Sequence, residues 1–229
     1  MRILVACEES QTVTIALRKL GHEAYSCDIQ ECSGGHPEWH YCGDVLALLD
    51  QQWDMLIAFP PCTYLTNAGT RHFSLRCNPF EKVQKRKALR EEAAAFFRLF
   101  ADHPCPRIAV ENPVGYMNSN YRQPDQTIHP YYFGDPFKKR TCLWLKGLPL
   151  LVDTNRLPEP KPLYFCEGER CFGKPINWCE SVSAAGGQAE RAKTRSKTFQ
   201  GIADAMAMQW AGKAPGWTPL TAWWVMRPR

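Results

Sequence analysis

The 229-residue chain lacks any unbroken apolar run of about 18 residues, the least that a membrane-crossing helix needs. It also lacks internal repeats and low-complexity tracts, so repeat arrays and compositional linkers are excluded. Its charge excess is small. There are 28 Lys and Arg against 23 Asp and Glu, a net +5 that permits an anionic partner without demanding one. No CxxC knuckle occurs among the 11 cysteines. They are odd in number, scattered from Cys7 to Cys179, and sit in a chain long enough to build its own core, which argues against a disulfide framework. At the amino end a short apolar run, Met1–Cys7, leads straight into Glu8 and Glu9 and does not resemble a cleavable leader. The expectation is a cytoplasmic protein of a bacterial or phage-infected cell, with no membrane contact and most thiols reduced and buried.

What is present is an alternation of short apolar runs with helical spacings. Ile3–Ala6 reads as a strand, and Thr12–Leu20 places Val13, Ala16, Leu17 and Leu20 on one helical face before Gly21. Glu23–Cys27 is a second strand ending at Asp28. A loop over Cys32–His40, the short run Tyr41–Gly43 and a helix over Val45–Leu49 follow. Met55–Phe59 runs into Pro60-Pro61, Pro79–Phe100 is the longest helix, and Arg107–Val110 is a buried strand ending at Glu111. Arg140–Leu145 adds one more strand. Leu148–Leu163 is proline-rich, Lys197–Ala211 reads as a helix, and the tail Trp217–Met226 is expected to pack back on the body. This pattern predicts an α/β fold with a Rossmann-like, doubly wound and mostly parallel sheet. Ligands of such sheets gather at the carboxyl ends of the strands, where Asp28, Asp44, Cys62 and Glu111 fall.

Two segments carry chemistry. In Asp54–Thr66, DMLIAFPPCTYLT, two prolines stiffen the exit from a strand and present Cys62 at its tip. A thiol becomes a nucleophile only as thiolate, so it needs cations nearby, and helix Pro79–Phe100 and Arg140 are candidates. In Arg107–Gly115, RIAVENPVG, Glu111 sits on a rigid turn facing the same edge, and burial there suits it to donate a proton near neutral pH. Taken singly, each segment reads equally well as an inert buried cysteine or a carboxylate cap.

Taken together the segments resemble the DNA (cytosine-5) methyltransferase family, in the form of a compact, phage-like member. Pro60-Pro61-Cys62 resembles that family's Pro-Cys motif, and Glu111-Asn112 with Pro113-Val114 its Glu-Asn-Val motif. Gly43-Asp44-Val45 resembles the segment that holds the adenine, and Lys139-Arg140-Thr141 the basic strand near the target base. The order along the chain agrees, over roughly residues 1–150 and the helix near 198–211. The resemblance implies S-adenosylmethionine as cofactor, double-stranded DNA as partner, and a monomer. Cys62, Glu111 and Arg140 would be catalytic. Ala6, Cys7, Glu8, Ser10, Gln11, Thr12, Asp28, Ile29, Asp44, Val45, Phe59 and Pro61 would hold the cofactor. Asn67, Arg71, Arg76, Lys139, Arg195 and Lys197 would meet nucleic acid, the first three from a mobile loop over Thr63–Asn78. Lys82, Lys85, Arg86, Lys87 and Arg90, on the long helix, are further candidates for phosphate, as are Arg191 and Lys193.

Departures from the pattern carry expectations of their own. Ala6–Thr12 reads ACEESQT where a glycine-rich turn is usual, so Ser10, Gln11 and the following helix end would make the contacts. Glu8 and Glu9 would favour a sulfonium or an amine. The C-terminal helix matches only at Gly201. The expected division is 1–150 for cofactor and catalysis, 151–195 for target recognition, and 196–229 for a helix and tail. A recognition piece of about 45 residues scarcely holds its own core, so a very short target site is expected. Cys32, His36, His40 and Cys42, or Cys166, Cys171 and Cys179, have loose ligand spacing. Neither group fits a common zinc signature and no metal is expected, though a zinc in the second loop stays open. The competing functions are C5 modification of a free pyrimidine nucleotide and a non-catalytic DNA-binding module.

Overall fold

In the computed structural model, residues 1–167, 172–173, 175–177, 181, 187 and 194–214 are described. The short apolar runs become strands: the central ones are buried on both faces, while the strands at the two edges are short and partly exposed. The strands are β1 (Arg2–Ala6), β2 (Glu23–Asp28), β3 (His40–Cys42), β4 (Met55–Ala58), β5 (Ile108–Pro113), β6 (Gln126–Ile128) and β7 (Thr141–Lys146). They form one seven-stranded sheet in the order β3-β2-β1-β4-β5-β7-β6. Strands β3, β2, β1, β4 and β5 run parallel to their neighbours, while β7 is antiparallel to both β5 and β6. The protein is therefore α/β with a mostly parallel sheet, compatible with a Rossmann-like fold.

Period-two alternation divides the core. Ile3 and Val5 of β1 face one layer, where they meet α1 (Thr12–Lys19). Leu4 and Ala6 face the other, with α2 (Leu46–Leu49) and α3 (Phe80–Ala101). A short α4 (Tyr116–Asn120) follows β5, and α5 (Gln200–Met206) continues into a π turn over Ala207–Ala211. Ile202, Ala203, Ala205 and Met206 of α5 share the core cluster of α1. The expected helix over Lys197–Ala211 thus starts later, because Phe199 is extended. The expected tail Trp217–Met226 lies outside the described residues.

Gly201 is required by this packing. A Cβ built on it would lie 2.0 Å from the Phe133 carbonyl oxygen, and its N–H donates to Asp135 Oδ2 at 2.9 Å. Only glycine lets α5 approach this closely.

Beyond β7 the expected recognition piece begins on the body. Leu151 is buried, and the Asn155 and Leu157 N–H groups donate to the Tyr132 and Tyr131 carbonyls at 3.3 and 2.8 Å. A small antiparallel pair, β8 (Tyr164–Phe165) with β9 (Pro175–Ile176), carries Leu163, Tyr164 and Phe165 exposed. Among the described residues no helix is long and apolar enough to cross a membrane.

The strand order reverses direction between β1 and β4, which opens a crevice at their carboxyl ends. The antiparallel β7 delivers its first residue, Thr141, opposite Pro113 at the end of β5. Residues 139–141 therefore join the same edge.

Candidate active site

The edge has two halves, and the first is acidic. Cys7 follows β1 with φ 59°, and Gln11 precedes α1 with φ 57°. These are the left-handed positions where glycine would be expected, and each costs about 1–2 kcal/mol for a residue with a side chain. Gln11 offsets that cost by bonding inward. Its Nε2 donates to the His36 carbonyl at 2.8 Å and to Ser26 Oγ at 3.2 Å, and its Oε1 accepts from the His36 N–H at 3.1 Å. The side chain is fully buried and holds the Cys32–His40 loop in place.

Glu8 is buried and closes the amino end of α1. Its carboxylate accepts from the Val13 N–H at 2.7 Å, the Thr14 N–H at 3.2 Å and the Thr14 hydroxyl at 2.7 Å. Burial still outweighs these bonds and lifts its pKa to about 7. The helix end expected to contact a cofactor anion is thus already occupied by a carboxylate of the chain itself. Beside it, the half-buried Ser10 and Thr12 hydroxyls pair at 3.1 Å.

Cys7, Asp28 and Asp44 lie close together at the ends of β1, β2 and β3. Burial pushes the Cys7 thiol far up, and Asp28, Cys27 and Asp44 add to it. Asp28 Oδ1 accepts from the Gln30 N–H at 3.0 Å, and Asp44 Oδ1 from the Leu46 N–H at 3.0 Å, so backbone turns hold both carboxylates. Ile29, next to Asp28, is 80% exposed. Ala6 and Val45 are buried in the core and present only backbone to the edge.

The second half holds the nucleophile candidate. The Phe59 N–H donates to the Ala6 carbonyl at 3.0 Å, which ties the exit of β4 to β1. The Cys62 carbonyl then accepts from the Leu65 and Thr66 N–H groups at 3.0 and 2.9 Å, so the turn closes directly after the thiol. Asn112, almost fully buried, donates from Nδ2 to the Pro60 carbonyl at 2.8 Å and locks the proline turn onto β5 beside Glu111. Pro61 and Cys62 are exposed at the rim.

Around Cys62, loss of water and the Glu111 carboxylate push the thiol above its ordinary value, while Lys139 and Arg195 pull it back. Glu111 is itself raised by burial, against the pull of Lys139 and a hydrogen bond from Thr141. These two acids resist ionising together. Lys139 Nζ also donates to the Arg195 carbonyl at 3.0 Å, and a small cleft lies between Phe59, Glu111, Lys139, Thr141, Phe199 and Ile202.

Two neighbouring cations are placed differently here. Lys139 and Thr141, two residues apart, share the cleft with Glu111, whereas Arg140 between them is exposed and lies among the charges around His129. The cation facing Cys62 and Glu111 from this segment is Lys139. Both residues precede β7, so the approach to that strand decides which of the two neighbours turns into the cleft.

The segment after Cys62, expected to form a loop over the site, contacts the turn between β5 and α4, and α3. The Tyr116 N–H donates to the Leu65 carbonyl at 2.7 Å, and the Asn67 N–H to the Val114 carbonyl at 3.2 Å. Phe73 is gripped by Arg86 and Arg90 of α3, whose guanidinium carbons lie 5.1 and 4.3 Å from its ring centre. Arg86 also covers Tyr64, and Arg90 covers Tyr116. Of the basic run on α3, Arg86 and Arg90 are therefore half-buried clamps, while Lys82, Lys85 and Lys87 are exposed. Asn67, Arg71, Arg76 and Lys197 are exposed and Arg195 is half-buried; Arg191 and Lys193 lie outside the described residues.

Of the described cysteines, Cys27, Cys105 and Cys142 are buried thiols, whereas Cys42, Cys62 and Cys77 are exposed ones. Cys166 is disulfide-bonded, an exception to the mostly reduced thiols expected from the sequence. Cys171 and Cys179, the other members of the loose zinc pattern, lie outside the described residues. Among the described residues no three His, Cys, Asp or Glu side chains gather as metal ligands.

Compared with known proteins, the chain matches no family model and no curated protein.

Proposed function

We propose that the protein is a DNA cytosine-5 methyltransferase that uses S-adenosylmethionine and a covalent Cys62 adduct. The observation that carries this reading is the meeting of Cys62, Glu111 and Lys139 at one sheet edge, beside a separate acidic cluster at the ends of β1, β2 and β3.

The acidic cluster suits the cofactor by charge. A dinucleotide's pyrophosphate needs free N–H groups at a helix end, and here Glu8 has taken them. Asp28, Asp44 and the exposed Ile29 instead suit a cationic nucleoside, with carboxylate for ribose or ammonium and an apolar face for the base. When bound, S-adenosylmethionine supplies an electrophilic methyl group.

In the other half, Cys62 adds as thiolate to C6 of the cytosine. Glu111 holds or donates a proton at N3, which makes C6 electrophilic, and the addition of sulfur there leaves C5 nucleophilic. A protonated Glu111 no longer repels the thiolate, so binding of the base at Glu111 favours ionisation of Cys62. Lys139 lies close enough to stabilise negative charge on either group. After methylation the C5 proton passes to water. The C6–S bond breaks so that Cys62 leaves as thiolate, the C5–C6 double bond re-forms, and any proton given to N3 returns to Glu111. The cytosine must be flipped from the duplex to reach this edge, at a cost of a few kcal/mol.

The test is nucleoside mass spectrometry of DNA from cells expressing the wild type or Cys62→Ala. 5-Methylcytosine is expected with the wild type alone, and its absence from both overturns the proposal. A duplex carrying 5-fluorocytosine should form a covalent adduct with the wild type, because fluorine cannot leave as a proton does.

A further inference from the structure

Cys32, His36, His40 and Cys42 have ligand-like spacing, but the fold engages both histidines elsewhere. The His40 ring lies between Ser26 Oγ at 2.8 Å and the Gln30 carbonyl at 2.9 Å, so both its nitrogens have partners. His36 stacks on Trp39, with ring centres 3.9 Å apart, and its Nδ1 lies 3.1 Å from Glu38 Oε1. Two free thiols are left, Cys32 half-buried and Cys42 exposed.

Both thiols stand at the mouth of one pinned loop. Parallel pairing sets Cys42 opposite Asp28 and on the same face of the sheet, whereas Cys27 is buried in the core. The Cys42 thiol donates to the Ile29 carbonyl at 3.8 Å, and the Gly43 N–H to the Asp28 carbonyl at 2.8 Å. Cys32 is held from the other side. The Ser33 N–H donates to the Glu9 carbonyl at 2.8 Å, and a Cβ on Gly34 would lie 2.6 Å from Gln11 Cβ. The turn over residues 29–31 thus runs between the two thiols. Glu31, Asp28 and Cys32 all bear on Cys42 and hold its thiol above the ordinary value. A pair whose reduced form gains no stabilised thiolate keeps its disulfide once formed.

We propose that Cys32 and Cys42 form a reversible disulfide that weakens binding of a cationic nucleoside at Asp28, Ile29 and Asp44. The oxidant is a low-molecular-weight disulfide such as oxidised glutathione. One protein thiolate attacks it, forms a mixed disulfide and expels the first half as thiolate. The second protein thiolate displaces the other half. Two protein thiols are oxidised, the reagent is reduced to two thiols, and the two protons from the protein end on them. The new bond removes the Cys42 donor from the Ile29 carbonyl and draws Cys32 toward β3. The turn that carries Asp28 and Ile29 moves with it. The bond stands on the thiols alone, whereas its effect on the ligand rests on the proposed function.

The experiment treats the full chain with oxidised glutathione, alkylates the remaining thiols and digests after Glu, which separates residues 32–38 from the peptide beginning at Trp39. Mass spectrometry should find these two peptides joined, two hydrogens lighter than their sum, and separate again after dithiothreitol. Calorimetry with S-adenosylmethionine should give an affinity at least about fivefold lower for the oxidised wild type, the low end of coupling between two sites. The double variant Cys32→Ser/Cys42→Ser should bind equally with and without oxidant, with an unchanged unfolding midpoint as its folding control. Failure of the two peptides to join, or joining of Cys42 to Cys27, overturns the proposal. An equal loss of affinity in the double variant overturns it too, by assigning the effect to other cysteines. A joined pair with unchanged affinity overturns the switch and leaves the proposed function standing. A reduced wild type that binds no S-adenosylmethionine overturns the cofactor reading together with the switch.

Discussion

The two halves of one sheet edge carry opposite charge. At the ends of β1, β2 and β3 stand Glu8, Asp28 and Asp44, whereas around the ends of β4 and β5 stand Lys139, Arg195, Arg86 and Arg71. A single pocket of either sign would serve one partner only. Under the proposed function, the division would let a cationic small molecule and a polyanion occupy the same edge without competing; Cys62 and Glu111 lie on its basic side.

The largest break in this contrast should come from Lys139→Met, which removes the cation shared by Cys62 and Glu111. Loss of one preorganised electrostatic group costs about 10²–10³ in kcat, measurable as single-turnover methyl transfer. The same variant should move the pH dependence of Cys62 alkylation by iodoacetamide upward, since Lys139 lowers the thiol's pKa. Glu111→Gln should move it downward by removing the opposing carboxylate.

Glu8 comes next. Its folded pKa of about 7 lies above the ordinary 4.5, so its contribution to stability is complete at low pH and fades as pH rises from about 4.5 through 7. A gap of that size between folded and unfolded values corresponds to a loss on the order of 3 kcal/mol. Chemical denaturation at pH 5 and pH 8.5 should show it, and Glu8→Gln should flatten the difference. Equal stability of the wild type at both pH values would contradict the assignment.

A smaller effect is expected from Asp28→Ala. It should weaken S-adenosylmethionine binding about tenfold by calorimetry, in line with loss of one charged hydrogen bond, and leave duplex affinity unchanged. The smallest concerns Arg140→Ala. This residue stands outside the cleft, so methyl transfer should fall no more than about threefold, the scale of a surface charge. A loss matching that of Lys139→Met would place Arg140 back in the site.

Much of this arrangement is legible in the bare chain, and the rest is hidden for identifiable reasons. Strands β1, β2, β4 and β5 announce themselves as apolar runs, and the residues following them become the edge. Strand β6 does not, because Gln126-Thr127-Ile128 is three residues long and owes its place to β7. Cys62 and Glu111 stand out through the prolines beside them. The choice between Lys139 and Arg140 depends on the approach to β7, which adjacent residues cannot express. The role of Glu8 is hidden because it needs two left-handed residues, Cys7 and Gln11, of types that rarely adopt that backbone. Read linearly, Glu8 looks like a ligand for a cofactor. Folded, it is the stopper of a helix. Arg86 and Arg90 likewise look like a solvated basic face until Phe73 is found between them.

The close seat of Gly201 against Phe133 has a consequence for how the protein is made. The cleft is walled by Phe59 and Glu111 from β4 and β5 and by Phe199 and Ile202 from α5 and its approach, and α5 shares its core with α1. A nascent chain emerging from the ribosome can pair β1, β2 and β4 early, yet it has no cleft until roughly two hundred residues have been synthesised and α5 has folded back onto the first helix. The cleft beside Glu111 and Lys139 is thus absent from every chain too short to include α5, and the groups around Cys62 are enclosed only after the rest of the sheet is in place.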